Sequence, residues 1–145
     1  MNTMSSSASK SRVVRLRSAN NEIFEVEEAI VALSEPIKNL IDVIGVNHVI
    51  PMPDVRSKTL AMVIEWCKYH AASDQGPRRN TEELIKEWEE ELDQADVVID
   101  LLCTASFLCI KDLQDQMFQR VADLIKVKTL EEICELLQVK NDFSS

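Results

Sequence analysis

The apolar residues of this chain change their spacing once, and this change limits the possible folds more than any other feature. Val14 and Leu16 alternate with arginines, and after turn residues at 19–21 the stretch 23–26 alternates again. Alternation predicts half-buried strands, here paired as a β-hairpin. Most later apolar residues recur every three or four positions, which predicts helices. Strands followed by helices indicate an α+β fold.

The segments after the hairpin carry signals for short helices with defined ends. Residues 27–33 predict a short helix, and Ser34 is placed to cap a second one that has Pro36 in its first turn. Gly45 is expected to end that second helix. Two prolines in 49–55 remove backbone donors, so this segment is predicted to be an edge strand or an extended connector.

The rest of the chain predicts five helices. The first begins at Ser57, and four further patterns follow at 81–92, 96–109, 110–126 and 129–138. Thr129 and Glu132 form a T-x-x-E capping box, which predicts that the last helix starts anew at Thr129. Burial of one side of a helix needs an apolar stripe about 100° wide around the helix axis, and the apolar residues of the helix at 110–126 cover a wider angle than that. It is therefore either buried on two sides, or buried on one side and offered to a partner on the other.

The charge is concentrated in the second half of the chain. Residues 1–80 carry 10 Lys/Arg and 9 Asp/Glu, whereas residues 81–145 carry 6 and 16, and the whole chain has a net charge of -9. An acidic half repels phosphate backbones, which argues against a nucleic-acid partner. No apolar run reaches the roughly 18 residues that a membrane-spanning helix needs, so no membrane partner is expected.

The four cysteines, at positions 67, 103, 109 and 134, form no C-x-x-C pair, and His48 and His70 are far apart in the sequence. Zinc needs closely spaced ligands, so no metal site is expected. Each cysteine lies within an apolar helical pattern, which predicts four buried, reduced thiols. Together with the lack of an N-terminal apolar signal, this predicts a reducing compartment.

No motif in the sequence supports catalysis. The G-x-S-x-G nucleophile motif, the Gly-rich phosphate loop and the H-E-x-x-H metal motif do not occur. Two glycines in the whole chain, Gly45 and Gly76, leave little scope for a backbone cradle around phosphate. Carboxylates are frequent on the predicted helix faces, and none of them is placed as a catalytic acid would be. We therefore expect no enzyme activity, no cofactor and no small-molecule substrate.

A series of ordered blocks connects the chain with a known family. The blocks lie at 14–18, 24–29, 50–55, 57–58, 63–70, 100–101, 107–108, 110–113, 121–126, 128–129, 131–133 and 139–143. Over nearly the whole folded length they resemble the S-phase kinase-associated protein 1 family, the adaptors of cullin–F-box (SCF) ubiquitin ligases. Several blocks in the family's order and spacing are a far more specific match than any single motif.

The resemblance implies a BTB/POZ-like domain at 13–109 and C-terminal F-box-binding helices at 110–145. Within the domain, residues 72–80 are expected to form a flexible linker, and the Ser-rich residues 1–12 a disordered tail. The implied function is that of a non-catalytic adaptor, which links an F-box substrate receptor to a cullin for ubiquitin-dependent degradation. Family membership also implies residence in the nucleus and the cytoplasm.

Two sets of site residues carry over from the family. The cullin-binding set is Pro51, Pro53, Val55, Ser106 and Phe107. The F-box-binding set is Phe118, Val121, Ile125, Ile133, Leu137 and Val139. The apolar character of the second set suits the docking of helices, where a few well-packed anchors carry most of the affinity.

Several positions depart from the family. Ser106 and Phe107 stand where the family has Asn-Tyr, so weaker cullin binding is expected. Gln116 places an amide where the family tends to be apolar, and Leu130 replaces the usual proline. The family continues past the Asn-Asp-Phe motif with an acidic, Trp-containing segment, whereas this chain ends at Ser145, so a smaller F-box interface is expected.

Three hypotheses for the function stay open at this point. The first is a divergent SCF adaptor that binds cullin and F-box proteins. The second is a non-productive paralogue, which holds only the cullin or only the F-box protein and thereby inhibits assembly. The third is an adaptor for other helical partners, as in the elongin-type relatives of the fold, although the match through 129–143 extends beyond the core that those relatives keep.

Overall fold

A computed structural model of the protein describes the backbone of residues 12–72 and 81–144, and the side chains of 12–71, 81–135 and 137. The elements are β1 (Val13–Arg17), β2 (Ile23–Glu27), α1 (Glu28–Val31), α2 (Glu35–Ile44), β3 (Val49–Pro51), α3 (Ser57–Ala72), α4 (Thr81–Glu87), α5 (Glu89–Leu92), α6 (Ala95–Phe107) and α7 (Lys111–Ser144). This three-stranded sheet with helices confirms the predicted α+β class.

The hairpin and the edge strand form one small sheet in the order β2-β1-β3. β1 is antiparallel to β2, with Leu16 opposite Phe24, and parallel to β3, with Leu16 opposite Ile50. In the turn between β1 and β2, Asn21 takes a φ of 68°, a left-handed conformation that asparagine tolerates better than most residues. Because β3 lies at an edge, Pro51 can end it without breaking a ladder on both sides.

The predicted helix ends at 34 and 45 are confirmed. The Ser34 hydroxyl accepts a hydrogen bond from the Ile37 N–H at 3.4 Å, and Pro36 lies in the first turn of α2. Gly45 ends the helix with a φ of 81°, and its N–H donates to the Ile41 carbonyl at 2.7 Å. A φ in this range favours glycine over residues with a Cβ.

One hydrophobic cluster unites the sheet with the helices. It begins with Val14 and Leu16 of β1, runs through α3 and α6, and reaches Leu113 and Met117 of α7, all of them buried. The core therefore crosses the predicted domain boundary between 109 and 110, and that boundary stays a prediction. Of the predicted tail, Arg12 is described: it forms two hydrogen bonds with Glu28, of 2.7 and 2.8 Å. The predicted linker residues after Ala72 lie outside the described ranges.

Two predictions of helix extent are wrong. The helix predicted at 81–92 is divided at Trp88 into α4 and α5. The helices predicted at 110–126 and 129–138 are one continuous helix, α7, so Thr129 does not begin a new one. Continuity follows from the local sequence, because Leu130 supplies the backbone N–H that a proline would lack, and no glycine interrupts the stretch.

The prediction of four buried thiols is wrong for three of them. Cys67 is buried in α3, whereas Cys103, Cys109 and Cys134 are exposed, and all four are free. Cys109 follows the end of α6 with a φ of 56°, and Cys134 lies where α7 has left the core. Cys103 lies on the exposed side of α6, whose other side is buried. A helical apolar pattern therefore locates a residue in a helix, but it does not by itself show that the residue is buried.

Candidate functional site

The long helix α7 has an anchored half and a projecting half. Leu113 and Met117 are buried in the core, and Val121 and Leu124 are half-buried against it. From Ile125 onward every side chain that the structure describes is exposed. The projecting half, 125–144, thus continues the helix beyond the core, and its side chains at 125–135 and 137 are open to solvent. Its 20 residues span about 30 Å at 1.5 Å per residue.

The predicted F-box residues lie along this helix. Phe118 is 52% exposed on the anchored half, and Val121 is half-buried beside it. Ile125, Ile133 and Leu137 are exposed on the projecting half, Leu137 by 57%. The side chain of Val139, the sixth residue of the set, lies outside the described residues.

The straight course of α7 separates this set into two groups. At 3.6 residues per turn, Phe118, Val121 and Ile125 share one side of the helix, whereas Ile133 and Leu137 are rotated from that side by about 110°. A flat partner surface cannot cover both groups of a straight helix at once. A partner would have to wrap around α7 or bend it.

Two exposed apolar residues of α7 were missed by the sequence analysis. Leu130 is 62% exposed and Val127 is 53% exposed. Leu130 precedes Ile133 and Leu137 by three and seven positions, a spacing that places the three residues on one side of a helix. This spacing is visible in the sequence. Because a helix start was expected at Thr129, Leu130 was assigned to a first turn and was not grouped with Ile133 and Leu137.

Polar side chains attach the back of the anchored half to the domain. The Gln116 carbonyl oxygen accepts a 2.8 Å hydrogen bond from the Trp66 Nε1–H of α3, and its amide donates to the Thr81 hydroxyl of α4 at 3.1 Å. Gln116 therefore connects α7 with two other helices.

Arg120 forms the second attachment. Its Nε donates to the Leu92 carbonyl at the end of α5 at 3.2 Å, and its Nη2 lies 2.9 Å from the Asp93 carboxylate. The same Nη2 lies 2.7 Å from Glu89. The Arg120 side chain is only 17% exposed, so these contacts are partly shielded from water. Gln116 and Arg120 together are called the α7 tethers below.

The predicted cullin-binding residues lie on two separate elements. Ser106 and Phe107 occupy the C-terminal end of α6, and both are exposed, Phe107 by 63%. After them the chain turns through Leu108 and Cys109, and the Ile110 N–H donates to the Ala105 carbonyl at 2.9 Å. This turn holds Phe107 at the outer edge between α6 and α7.

The other part of the cullin-binding set follows the end of β3. Pro51 and Pro53 are exposed, whereas Val55 is 4% exposed and belongs to the core cluster. The Val55 carbonyl accepts a 2.7 Å hydrogen bond from the Ala19 N–H. Val55 thus fixes this segment to the hairpin turn, and its side chain is not available to a partner.

The described residues form no arrangement of the kind that binds a metal. No three of their His, Cys, Asp or Glu side chains are grouped to hold an ion. Burial raises the pKa of the Cys67 thiol to about 12, which disfavours the reactive thiolate. None of the helices in the described part of the chain combines the length and the apolar character that a bilayer crossing requires.

Comparisons with known proteins show which family the chain belongs to. Two family profiles match, described as "Skp1 family, tetramerisation domain" over residues 12–72 and "Skp1 family, dimerisation domain" over residues 111–145. SKP1-like protein 1A of Arabidopsis thaliana is 40% identical over 139 residues, which cover 89% of this chain and 86% of that protein. SKP1-like protein 13 of the same plant is 38% identical over 138 residues, covering 92% and 89%.

A more distant relative carries an informative name. The SCF ubiquitin ligase complex protein SKP1b of Dictyostelium discoideum is 34% identical over 140 residues, covering 91% of this chain and 86% of that protein. The similarity thus covers most of this chain and most of each of the three relatives. The chain belongs to the Skp1 family.

Proposed function

We propose that this chain is a non-catalytic adaptor of cullin–F-box ubiquitin ligases, which holds an F-box protein with α7 and a cullin with its BTB/POZ-like part. The observation that carries the proposal is the row of exposed apolar side chains on the projecting half of α7. Family membership and the name of the Dictyostelium relative support the same assignment.

The energetics of α7 favour a protein partner. Exposed leucine and isoleucine side chains on a helix that leaves the domain gain about 25 cal/mol for each Å² of apolar surface that a partner covers. Part of this gain offsets the ordering of the interface and the loss of free motion. An amphipathic helix that docks by a few apolar anchors fits this surface, and an F-box supplies such a partner.

The F-box side of the proposal uses an enlarged set of residues. Phe118, Val121 and Ile125 form its first group, and Leu130 joins Ile133 and Leu137 in the second. Including Leu130 makes the second group a continuous row of three anchors. Val139 stays in the proposed set by resemblance.

The cullin side uses exposed residues of two elements. Phe107 is the proposed central anchor, with Ser106 beside it and Pro51 and Pro53 at the end of β3. Val55 acts indirectly, because its buried side chain holds the proline segment in place.

The proposal assigns no catalytic residue, no cofactor and no small-molecule substrate to this chain. It assigns neither nucleic acid nor membrane as a partner, in keeping with the acidic second half of the sequence. We also propose that the protein resides in both nucleus and cytoplasm. Imaging of a fluorescent fusion tests this part, and exclusion from either compartment would contradict it.

Copurification tests the proposed function. Tagged full-length chain is mixed with an F-box protein alone, with a cullin N-terminal domain alone, and with both together. We expect a three-part complex in the last mixture. Retention of one partner only would instead identify a non-productive paralogue, and retention of neither would reject an SCF role.

A further inference from the structure

The projecting half of α7, called the arm below, is long, so its direction depends strongly on the contacts between the base of the arm and the domain. The last core contacts are made by Val121 and Leu124, and about 30 Å of helix follows. A rotation of about 10° at the base displaces the far end by about 5 Å, given that length. A displacement of this size exceeds what a packed helix interface accommodates. The direction of the arm must therefore be fixed if one partner is to engage both halves of α7.

Apolar packing at the base fixes this direction only in part. Leu113 and Met117 are fully buried and prevent separation of α7 from the core. They nevertheless belong to a single stripe, and a helix held along one stripe can still roll about it. Directional contacts beside the stripe oppose that motion, and hydrogen bonds supply them because they depend on angle as well as distance.

The α7 tethers provide these directional contacts. Gln116 bonds to α3 and α4 with two hydrogen bonds of 2.8 and 3.1 Å. Arg120, one turn further along, bonds to the end of α5 and to two carboxylates, Glu89 and Asp93. Charge-assisted bonds to a planar guanidinium constrain orientation strongly. The two tethers thus connect the base of the arm to three separate helices.

We propose that Gln116 and Arg120 are positioning residues that fix the direction of the projecting half of α7, and so allow one F-box protein to contact both of its apolar groups. The effect on F-box binding rests on the proposed function, since it requires that the partner be an F-box protein. The tethering itself concerns the free chain and can be measured without any partner.

The test uses three matched methionine substitutions in one helix, together with one conservative substitution. Gln116→Met and Arg120→Met remove a tether while keeping a long side chain. Gln119→Met is the control, because Gln119 is exposed and its side chain bonds to Asp123 within the same helix at 3.1 Å. Arg120→Lys keeps the positive charge but loses the planar guanidinium, so it should keep part of the tethering that Arg120→Met removes. Calorimetry confirms that each variant is folded.

The first readout is the direction of the arm in the free protein. Cys103→Ser and Cys109→Ser leave Cys134 as the exposed thiol on the projecting half, where it takes a dye that accepts energy from the two tryptophans. Time-resolved transfer then reports the distribution of distances between the domain and the arm. We expect a narrow distribution for the parent and for Gln119→Met, and a broader one for both tether variants. Loss of stability alone would not broaden it in a fully folded sample.

The second readout is the affinity for an F-box protein. We expect it to fall about tenfold with each tether substitution, equivalent to about 1.4 kcal/mol, and to recover partly in Arg120→Lys. Distance distributions or affinities that match those of Gln119→Met would overturn the inference. Broader distributions without any F-box binding by the parent chain would reject the proposed function while leaving the tethering established.

Discussion

The indole of Trp66 donates its Nε1–H to the side-chain oxygen of Gln116 over 2.8 Å, although Trp66 is only 1% exposed. An indole N–H can only donate, so its burial requires an acceptor. Replacing Gln116 by Leu removes that acceptor, and we expect the free energy of unfolding to fall by about 1–3 kcal/mol. Urea denaturation measures the loss.

A second substitution checks the physical cause of that loss. Trp66→Phe removes the donor, so Trp66→Phe combined with Gln116→Leu leaves no unsatisfied N–H. The double variant should be less destabilised than the sum of the two single variants. Strictly additive losses would show that the hydrogen bond contributes nothing of its own.

Leu137 on the projecting half of α7 provides the test of the F-box surface. Its side chain is 57% exposed in the free protein, so Leu137→Asp should leave the stability unchanged. Affinity for an F-box protein should fall about 100-fold, because a charge replaces an anchor in an apolar contact. Titration calorimetry measures the affinity. Val43→Asp is the matched control, since Val43 is an exposed apolar residue of α2 outside the proposed surfaces, and it should bind normally.

Phe107 at the end of α6 provides the corresponding test of the cullin surface. Phe107→Lys should lower the affinity for a cullin N-terminal domain at least about tenfold, while F-box binding stays at the parent level. The aromatic ring is 63% exposed, so its removal leaves no cavity in the core. Equal cullin affinity of Phe107→Lys and Val43→Lys would remove Phe107 from the proposed site.

Most of the domain could be predicted from the sequence because its signals are local. The buried alternation of Val14 and Leu16, the Ser34 cap and the Gly45 helix end all depend on neighbouring residues, and the structure confirms each. The break at Trp88 and the continuity of α7 through Lys128 depend on tertiary contacts and on competition between local signals. At Thr129 a capping box competes with an uninterrupted helical sequence, and the helix is continuous.

The exposure of the candidate site residues could be predicted only in part. Phe107, Phe118, Ile125, Ile133 and Leu137, named by resemblance, have exposed side chains, whereas the resemblance could not reveal that Val55 is buried. The segment around Val55 has neither strand nor helix periodicity, so its inward side is set by the hairpin turn that it contacts. Likewise the contacts of Gln116 and Arg120 join residues far apart in the sequence, and no local pattern predicts them.

The continuous course of α7 makes Thr129 an interior helix residue. Thr129→Ala should therefore leave the stability within about 0.5 kcal/mol of the parent and the helix content equal or slightly higher, because alanine is the better helix former. A residue that capped a separate helix would cost about 1 kcal/mol on the same change. Thermal unfolding and far-ultraviolet circular dichroism distinguish the two cases, and a loss of helix content would contradict the continuous helix.

Cys67 in the core provides a prediction about pH. Burial raises its pKa from 9.0 to about 12, so the folded protein keeps this proton at a pH where the unfolded chain has released it. The stability contributed in this way is fully present below pH 9 and is lost as the pH rises towards 12. Between pH 7 and pH 10 we expect the parent to lose about 1 kcal/mol more than Cys67→Ala.

Urea denaturation at the two pH values measures this difference for each variant. Cys103→Ala is the control: because Cys103 is exposed, its removal should leave the pH dependence of the parent unchanged. A thiol reagent at pH 8 gives an independent check, since the three exposed cysteines should react rapidly and Cys67 only on unfolding. An identical pH dependence for the parent and Cys67→Ala, or rapid reaction of all four thiols, would show that the folded protein does not shield Cys67.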